Sequence, residues 1–225
     1  LKVVDPACGS GSFLLGAYQH LLDWHLKWYL DNEPERWAKG KTPALVQVVA
    51  LPGGSARGYR LTTEKKKEIL VNNIHGVDID AQAVEVTKLS LLLKVLEEES
   101  GQLSLGFERV LPDLGKNIQC GNSLIGEDYF EGRLTVDPEE RKRVNPFEWQ
   151  RAFPAVFAQG GFDAVIGNPP YIHSREEQFA EIDKSYYCKN FFVSEYQANT
   201  FPLFLEKGFK IIKEKGVLGM IIPNY

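Results

Sequence analysis

No run in this 225-residue sequence reaches the ~18 consecutive apolar residues of a membrane-spanning helix, and no signal peptide stands out. A membrane protein of that kind is therefore excluded as an expectation, and a cytoplasmic one is expected. Cysteine is scarce. Cys8, Cys120 and Cys188 lie far apart, which excludes a disulfide framework and any CxxC zinc pattern. The four histidines are scattered, and His20 and His25 fall on different faces of a helix, so no metal site is expected. A basic excess is also missing: the net charge is −4 and the pI about 5.7. The chain as a whole lacks the footprint of a protein that binds nucleic acid by charge alone. The local clusters "EKKKE" (64–68) and "EERKR" (139–143) alternate with acids and read as solvated faces. Two phosphate-binding patterns fail on single residues. Leu14 stands where a dinucleotide fingerprint needs its third glycine, and Glu35 where a Walker loop ending in "GKT" (40–42) needs its first.

Short apolar runs remain, at 2–5, 74–78, 117–120, 162–166 and 217–222. Each suits a strand buried on both faces, as in a parallel sheet. Helical patterns lie between some of them. In 12–29, Leu14, Ala17, Leu21, Trp24 and Trp28 recur at three- and four-residue steps. The stretch 80–99 is rich in helix formers behind an N-capping Asp80. In 200–216, Phe201, Phe204, Leu205 and Ile212 share one side, and Gly216 is placed to end the helix. The alternation predicts an open, doubly wound, mostly parallel α/β sheet of Rossmann-like kind. Residues 32–63 and 126–150 break the rhythm and are expected as inserted loops. Residue 1 falls almost inside a strand and residue 225 just after one, so 1–225 is expected to be a fragment of a longer chain.

The segment after each strand is polar or glycine-rich. The first strand runs into "DPACGSGSF", the second ends at Asp78, the third meets Asn122, the fourth meets Asn168-Pro169-Pro170-Tyr171, and the fifth meets Pro223-Asn224. Ligands of open α/β sheets bind outside the carboxyl ends of the strands, so these residues would converge on one site. Gly9 and Gly11 permit a tight turn and a close backbone approach, with or without a ligand. Asp78 stands where a ribose diol is often held. Asn122 either reads an adenine edge or makes an Asx-turn. Two successive prolines give a rigid corner poor in donors, with an amide before it and an aromatic ring after it.

In that order, "DPACGSGSF", "GVDID", "GNSL" and "GNPPY" resemble the S-adenosylmethionine-dependent amino-group DNA methyltransferases. They are most similar to the adenine-specific branch of restriction–modification enzymes, including the large fused type II kinds. The stretches 62–97 and 201–224 are similar to the same family. The resemblance implies a methyltransferase core spanning 1–225 and S-adenosylmethionine held by Asp5, Ala7, Gly9, Gly11, Asp78, Ile79, Asn122 and Asn168. It implies catalysis by Asn168, Pro169 and Tyr171, with Pro170 and Tyr171 against the substrate. The implied partner is double-stranded DNA with a flipped adenine, in the cytoplasm of a bacterium or archaeon, for restriction–modification or phage defence. Target recognition would lie elsewhere in the parent chain or in a partner subunit. The insertion at 32–63 departs from the family pattern, and no PD…ExK nuclease pattern stands out.

The corner's chemistry supports this independently. A purine's exocyclic amine is a poor nucleophile because its lone pair is delocalised into the ring. Acceptors at the Asn168 side-chain oxygen and the Pro169 carbonyl would favour charge building on that nitrogen. Tyr171 would stack on the base, worth about 1–3 kcal/mol, and offset a flipping cost of a few kcal/mol. Other planar amines fit the same corner: cytosine, an RNA adenine, or a protein glutamine as in release-factor methyltransferases, though those are compact and lack long insertions. A catalytically silent module that docks DNA or a partner is the alternative of another class, and an intact Asn168, Pro169 and Tyr171 speak against it.

Overall fold

The computed structural model describes residues 1–48, 58–97, 111–172, 181–195 and 200–222. Strand β1 (Val3–Asp5) leads into α1 (Ser12–Asp31). A short α2 (Pro34–Trp37) comes next, then an antiparallel ribbon of β2 (Leu45–Val48) and β3 (Gly58–Leu61). The chain continues through α3 (Thr63–Asn73), β4 (Ile74–Asp78), α4 (Ala81–Leu96) and β5 (Ile118–Cys120). Three short helices, α5 (Pro138–Val144), α6 (Trp149–Ala152) and α7 (Pro154–Phe157), precede β6 (Phe162–Gly167). Then come α8 (Glu181–Asn190), α9 (Phe201–Ile211) and β7 (Ile212–Met220).

Five strands form one sheet in the order β5-β4-β1-β6-β7, and every pairing between neighbours is parallel. From β1 the chain steps outward through β4 to β5, then returns to β6 on the other side of β1. The direction of winding therefore reverses between β1 and β6, which opens a crevice at their carboxyl ends. Alternation along each strand feeds two cores. Val3, Ile74 and Ile118 pack with Leu14, Tyr18 and Leu91 on one face. Val4, Val77 and Val165 pack with the aromatic group Phe147, Trp149, Phe153 and Phe162 on the other.

Several expectations need correction. Helix α9 stops at Ile211, and Gly216 does not end it. Ile212 already pairs with Phe162, regular pairing resumes at Val217, and residues 213–216 bulge out between them. Gly216 serves a close approach there: a Cβ would lie 2.4 Å from Ile212 Cγ1 and 3.0 Å from the Asp163 carbonyl. On α1, Trp24 and Trp28 are exposed, and the buried stripe is Leu14, Tyr18, Leu21, Leu22 and Tyr29. The stretch 126–150 contains a 3₁₀ turn and two helices, and it buries Tyr129, Phe130, Val144, Phe147 and Trp149. Its aromatic residues are what a charge-based reading of a loop overlooks. The stretch 32–63 carries α2 and the β2–β3 ribbon, with 49–57 outside the described residues. Pro223-Asn224 also lies outside them.

Candidate active site

Strand β1 ends at Asp5, buried with 1% of its surface exposed. Its Oδ1 accepts the Ala7 N–H (2.9 Å). Burial pushes the Asp5 carboxyl up to about 7; the Ala7 N–H opposes that rise and the nearby charge of Asp78 adds to it. The loop then turns through Gly9 (φ 51°) and Gly11 (φ 84°), both left-handed. Gly11 is also pressed against α4, since a Cβ there would lie 2.8 Å from Thr87 Cγ2. Thr87, fully buried, donates its hydroxyl to the Gly9 carbonyl (2.8 Å).

Asp78 closes β4 and organises the same loop. Its Oδ2 accepts the Gly9 N–H (2.8 Å) and its Oδ1 accepts the Asp80 N–H (2.9 Å). Asp80 caps α4 as expected, accepting from the Gln82 N–H (2.8 Å). Beyond β5, Asn122 Oδ1 accepts the Leu124 N–H (3.1 Å), which is the Asx-turn alternative, and Asn122 also lines the crevice. Its oxygen takes one N–H there, and its NH₂ group supplies donors. Ser123, buried, donates to the Pro6 carbonyl (2.5 Å) and so ties the β5 loop to the glycine loop.

The corner after β6 is held by hydroxyls. Tyr171 Oη lies 2.7 Å from Asn168 Oδ1 and 2.8 Å from the Ile221 carbonyl, as a donor. The Tyr171 ring packs edge-on against Phe201, with centroids 6.1 Å apart. Buried Thr200 donates to the Pro170 carbonyl and accepts the Ile172 N–H (3.1 Å). The Ile221 N–H donates to the Gly167 carbonyl (3.0 Å), binding the corner to the end of β7. Thr200 thus engages the carbonyl of the second proline, not that of Pro169.

One cavity of about 810 Å³ joins these strand ends. Ala7, Gly9, Asp78, Ile79, Asn122, Asn168 and Pro170 all line it, whereas Asp5, Gly11, Pro169 and Tyr171 do not. Its volume lies in the range of ligand clefts. Sequence reasoning missed Ser123, Leu124, Arg143, Tyr187 and Thr200, which also line it, and read Phe204 only as helix core. Arg143 and Tyr187 come from α5 and α8, and no local motif marks them. Among the described residues no group of three or more His, Cys, Asp or Glu is placed to hold a metal ion. Among them, too, no helix is long and apolar enough to cross a membrane.

A parallel sheet with its crevice at the switch point, a glycine loop on one side and an amide–proline corner on the other, has the architecture of a methyltransferase core. Residues 72–225 match the family described as Eco57I restriction-modification methylase. The chain is 32% identical over 224 residues to the type II restriction enzyme and methyltransferase RM.Eco57I of Escherichia coli, covering 99% of this chain and 20% of that protein. It is 25% identical over 193 residues to the adenine-specific methyltransferase PglX of Streptomyces coelicolor, covering 83% of this chain and 13% of that one. Its fold is similar to part of DrdV in a DrdV–DNA complex, with a TM-score of 0.50 and 15% identity over 97% of this chain and 17% of that one. The chain belongs to the Eco57I restriction-modification methylase family, a family of DNA methyltransferases, and spans about a fifth or less of these two curated relatives.

Proposed function

We propose that this chain is the catalytic core that transfers a methyl group from S-adenosylmethionine to the exocyclic amine of adenine in DNA, within a larger restriction–modification protein of a bacterial or archaeal cytoplasm. The observation that carries the reading is the shared cavity: the Gly9–Asp78 loop and Asn168 line one space of about 810 Å³. The relative named adenine-specific supports the choice of base.

The residues present fit the cofactor. Each Asp78 oxygen accepts one backbone N–H and keeps a lone pair for a ribose hydroxyl. Asn122 keeps donors for a purine ring nitrogen, and Ile79 and Leu124 offer apolar surface. Buried Asp5 holds the Ala7 N–H beneath the loop. When bound, S-adenosylmethionine supplies a methyl group on a sulfonium cation. Asn168 Oδ1 and the Pro169 carbonyl accept the N–H groups of the target amine and stabilise positive charge as it develops on nitrogen. S-adenosylmethionine, held at Gly9, Asp78 and Asn122, would supply the methyl carbon to that nitrogen, and the amine's extra proton would pass to water. Tyr171 offers a ring face to a base flipped from the duplex. A target-recognition domain elsewhere in the parent protein, or in a partner subunit, selects the site.

The test uses the full-length protein with tritiated S-adenosylmethionine and unmethylated, PCR-amplified DNA. Nucleosides from the digested product should carry label as N6-methyladenine. Label in cytosine, in RNA supplied instead of DNA, or in protein would assign the corner to a different amine.

A further inference from the structure

The Tyr171 hydroxyl faces two acceptors at nearly equal distance, Asn168 Oδ1 at 2.7 Å and the Ile221 carbonyl at 2.8 Å. A phenol has one proton, so it serves one acceptor at a time or divides itself between them. The two acceptors differ in what they do. Ile221 comes just after β7, and its own N–H is fixed on Gly167, at the start of the corner. Asn168 is exposed and lines the cavity. A base-stacking role for Tyr171 uses its ring alone and gives this hydroxyl nothing to do.

We propose that Tyr171 is a positioning residue acting through its hydroxyl: by donating to Oδ1 it orients the Asn168 amide so that Oδ1, not the NH₂ group, is presented to the target amine. This rests on the methyl-transfer reading of the site. The amide is nearly symmetric in shape, and without a donor beside it a half-turn of the side chain exchanges its oxygen for its nitrogen. The exchanged form would aim N–H groups at N–H groups and turn an acceptor into a repulsive contact. The hydroxyl prevents that by donating to Oδ1. Oδ1 has two lone pairs, so one takes the Tyr171 hydroxyl and the other stays open to the amine. Thr200 keeps the rest of the corner still, because it holds both the Pro170 carbonyl and the Ile172 N–H.

The experiment compares wild type, Tyr171→Phe and Tyr171→Ala in the full-length protein, with tritiated S-adenosylmethionine and unmethylated PCR-amplified DNA. Tyr171→Phe keeps the ring, so KM for DNA should stay within about twofold while kcat falls roughly 10- to 100-fold, as when a partner that orients a functional group is lost. Tyr171→Ala should lose kcat and raise KM as well. Thermal unfolding should give equal midpoints for wild type and Tyr171→Phe, which separates orientation from folding. A Tyr171→Phe kcat equal to wild type overturns the inference and leaves methyl transfer standing. A wild type that transfers no label to DNA overturns the reading on which the inference depends.

Discussion

The two halves of the crevice are built by different means. On the β4 side, carboxylates hold the backbone: Asp5 takes the Ala7 N–H, and Asp78 takes those of Gly9 and Asp80. On the β6 side, hydroxyls do it: Tyr171 donates to Asn168, and Thr200 grips Pro170 and Ile172. The first half places two carboxyl groups close together, one of them buried and held toward its protonated form. The second presents neutral acceptors, which suit an amine that is uncharged until it reacts. The difference implies that pH and charge changes act mainly on the first half, and changes of shape or donor on the second.

The largest expected effect is on the charged half. Asp5 has an ordinary carboxyl value of 3.8 that burial raises to about 7. The folded state therefore holds a proton that the unfolded state releases between those values. Stability is fully present below about pH 3.8 and declines as pH rises through about 7, by roughly 4 kcal/mol in total. Asp5→Asn keeps an acceptor for Ala7 without the charge, so its denaturant midpoint should change much less over that interval. Parallel profiles for the two proteins would mean that Asp5 ionises as an ordinary carboxylate and that charge does not distinguish the halves.

The two glycines give a finer comparison inside the first half. Both have positive φ, but a Cβ at Gly11 meets Thr87 at 2.8 Å whereas one at Gly9 meets nothing within 4 Å. Gly11→Ala should lose about 2–4 kcal/mol, from backbone strain plus overpacking. Gly9→Ala should lose only about 1–2 kcal/mol, the strain alone. Urea unfolding of both variants checks this. Equal losses would show that contact with Thr87 does not set the packing of the loop.

The five strands of the sheet were legible, with the last beginning earlier than expected, because a strand buried on both faces leaves a short apolar run ending in a polar or glycine residue, as at Asp5, Asp78 and Asn168. The end of α9 was not, because Gly216 reads as a helix stop and its actual role depends on Ile212 and Asp163. The tryptophans of α1 keep a helical period yet face outward; the period alone does not say which of two apolar stripes is covered. In the site, the motif residues were visible because each comes directly after its strand. Thr87, Thr200, Arg143 and Tyr187 reach the site or its supports from distant helices and loops, where only the fold brings them together. The Tyr171 hydroxyl bond joins residues three apart, but its second acceptor, Ile221, lies fifty positions on.

The division of labour between the halves is tested most directly by measuring cofactor affinity and single-turnover methylation rate on Asp78→Ala and Asn168→Ala in the full-length protein. Asp78→Ala should weaken S-adenosylmethionine binding by roughly 1.5–3 kcal/mol in calorimetry and keep most of its rate at saturating cofactor. Asn168→Ala should bind the cofactor nearly as wild type does and lose about 10²- to 10³-fold in rate. An Asn168→Ala protein that methylates DNA at the wild-type rate, or an Asp78→Ala protein with unchanged cofactor affinity, would contradict the account.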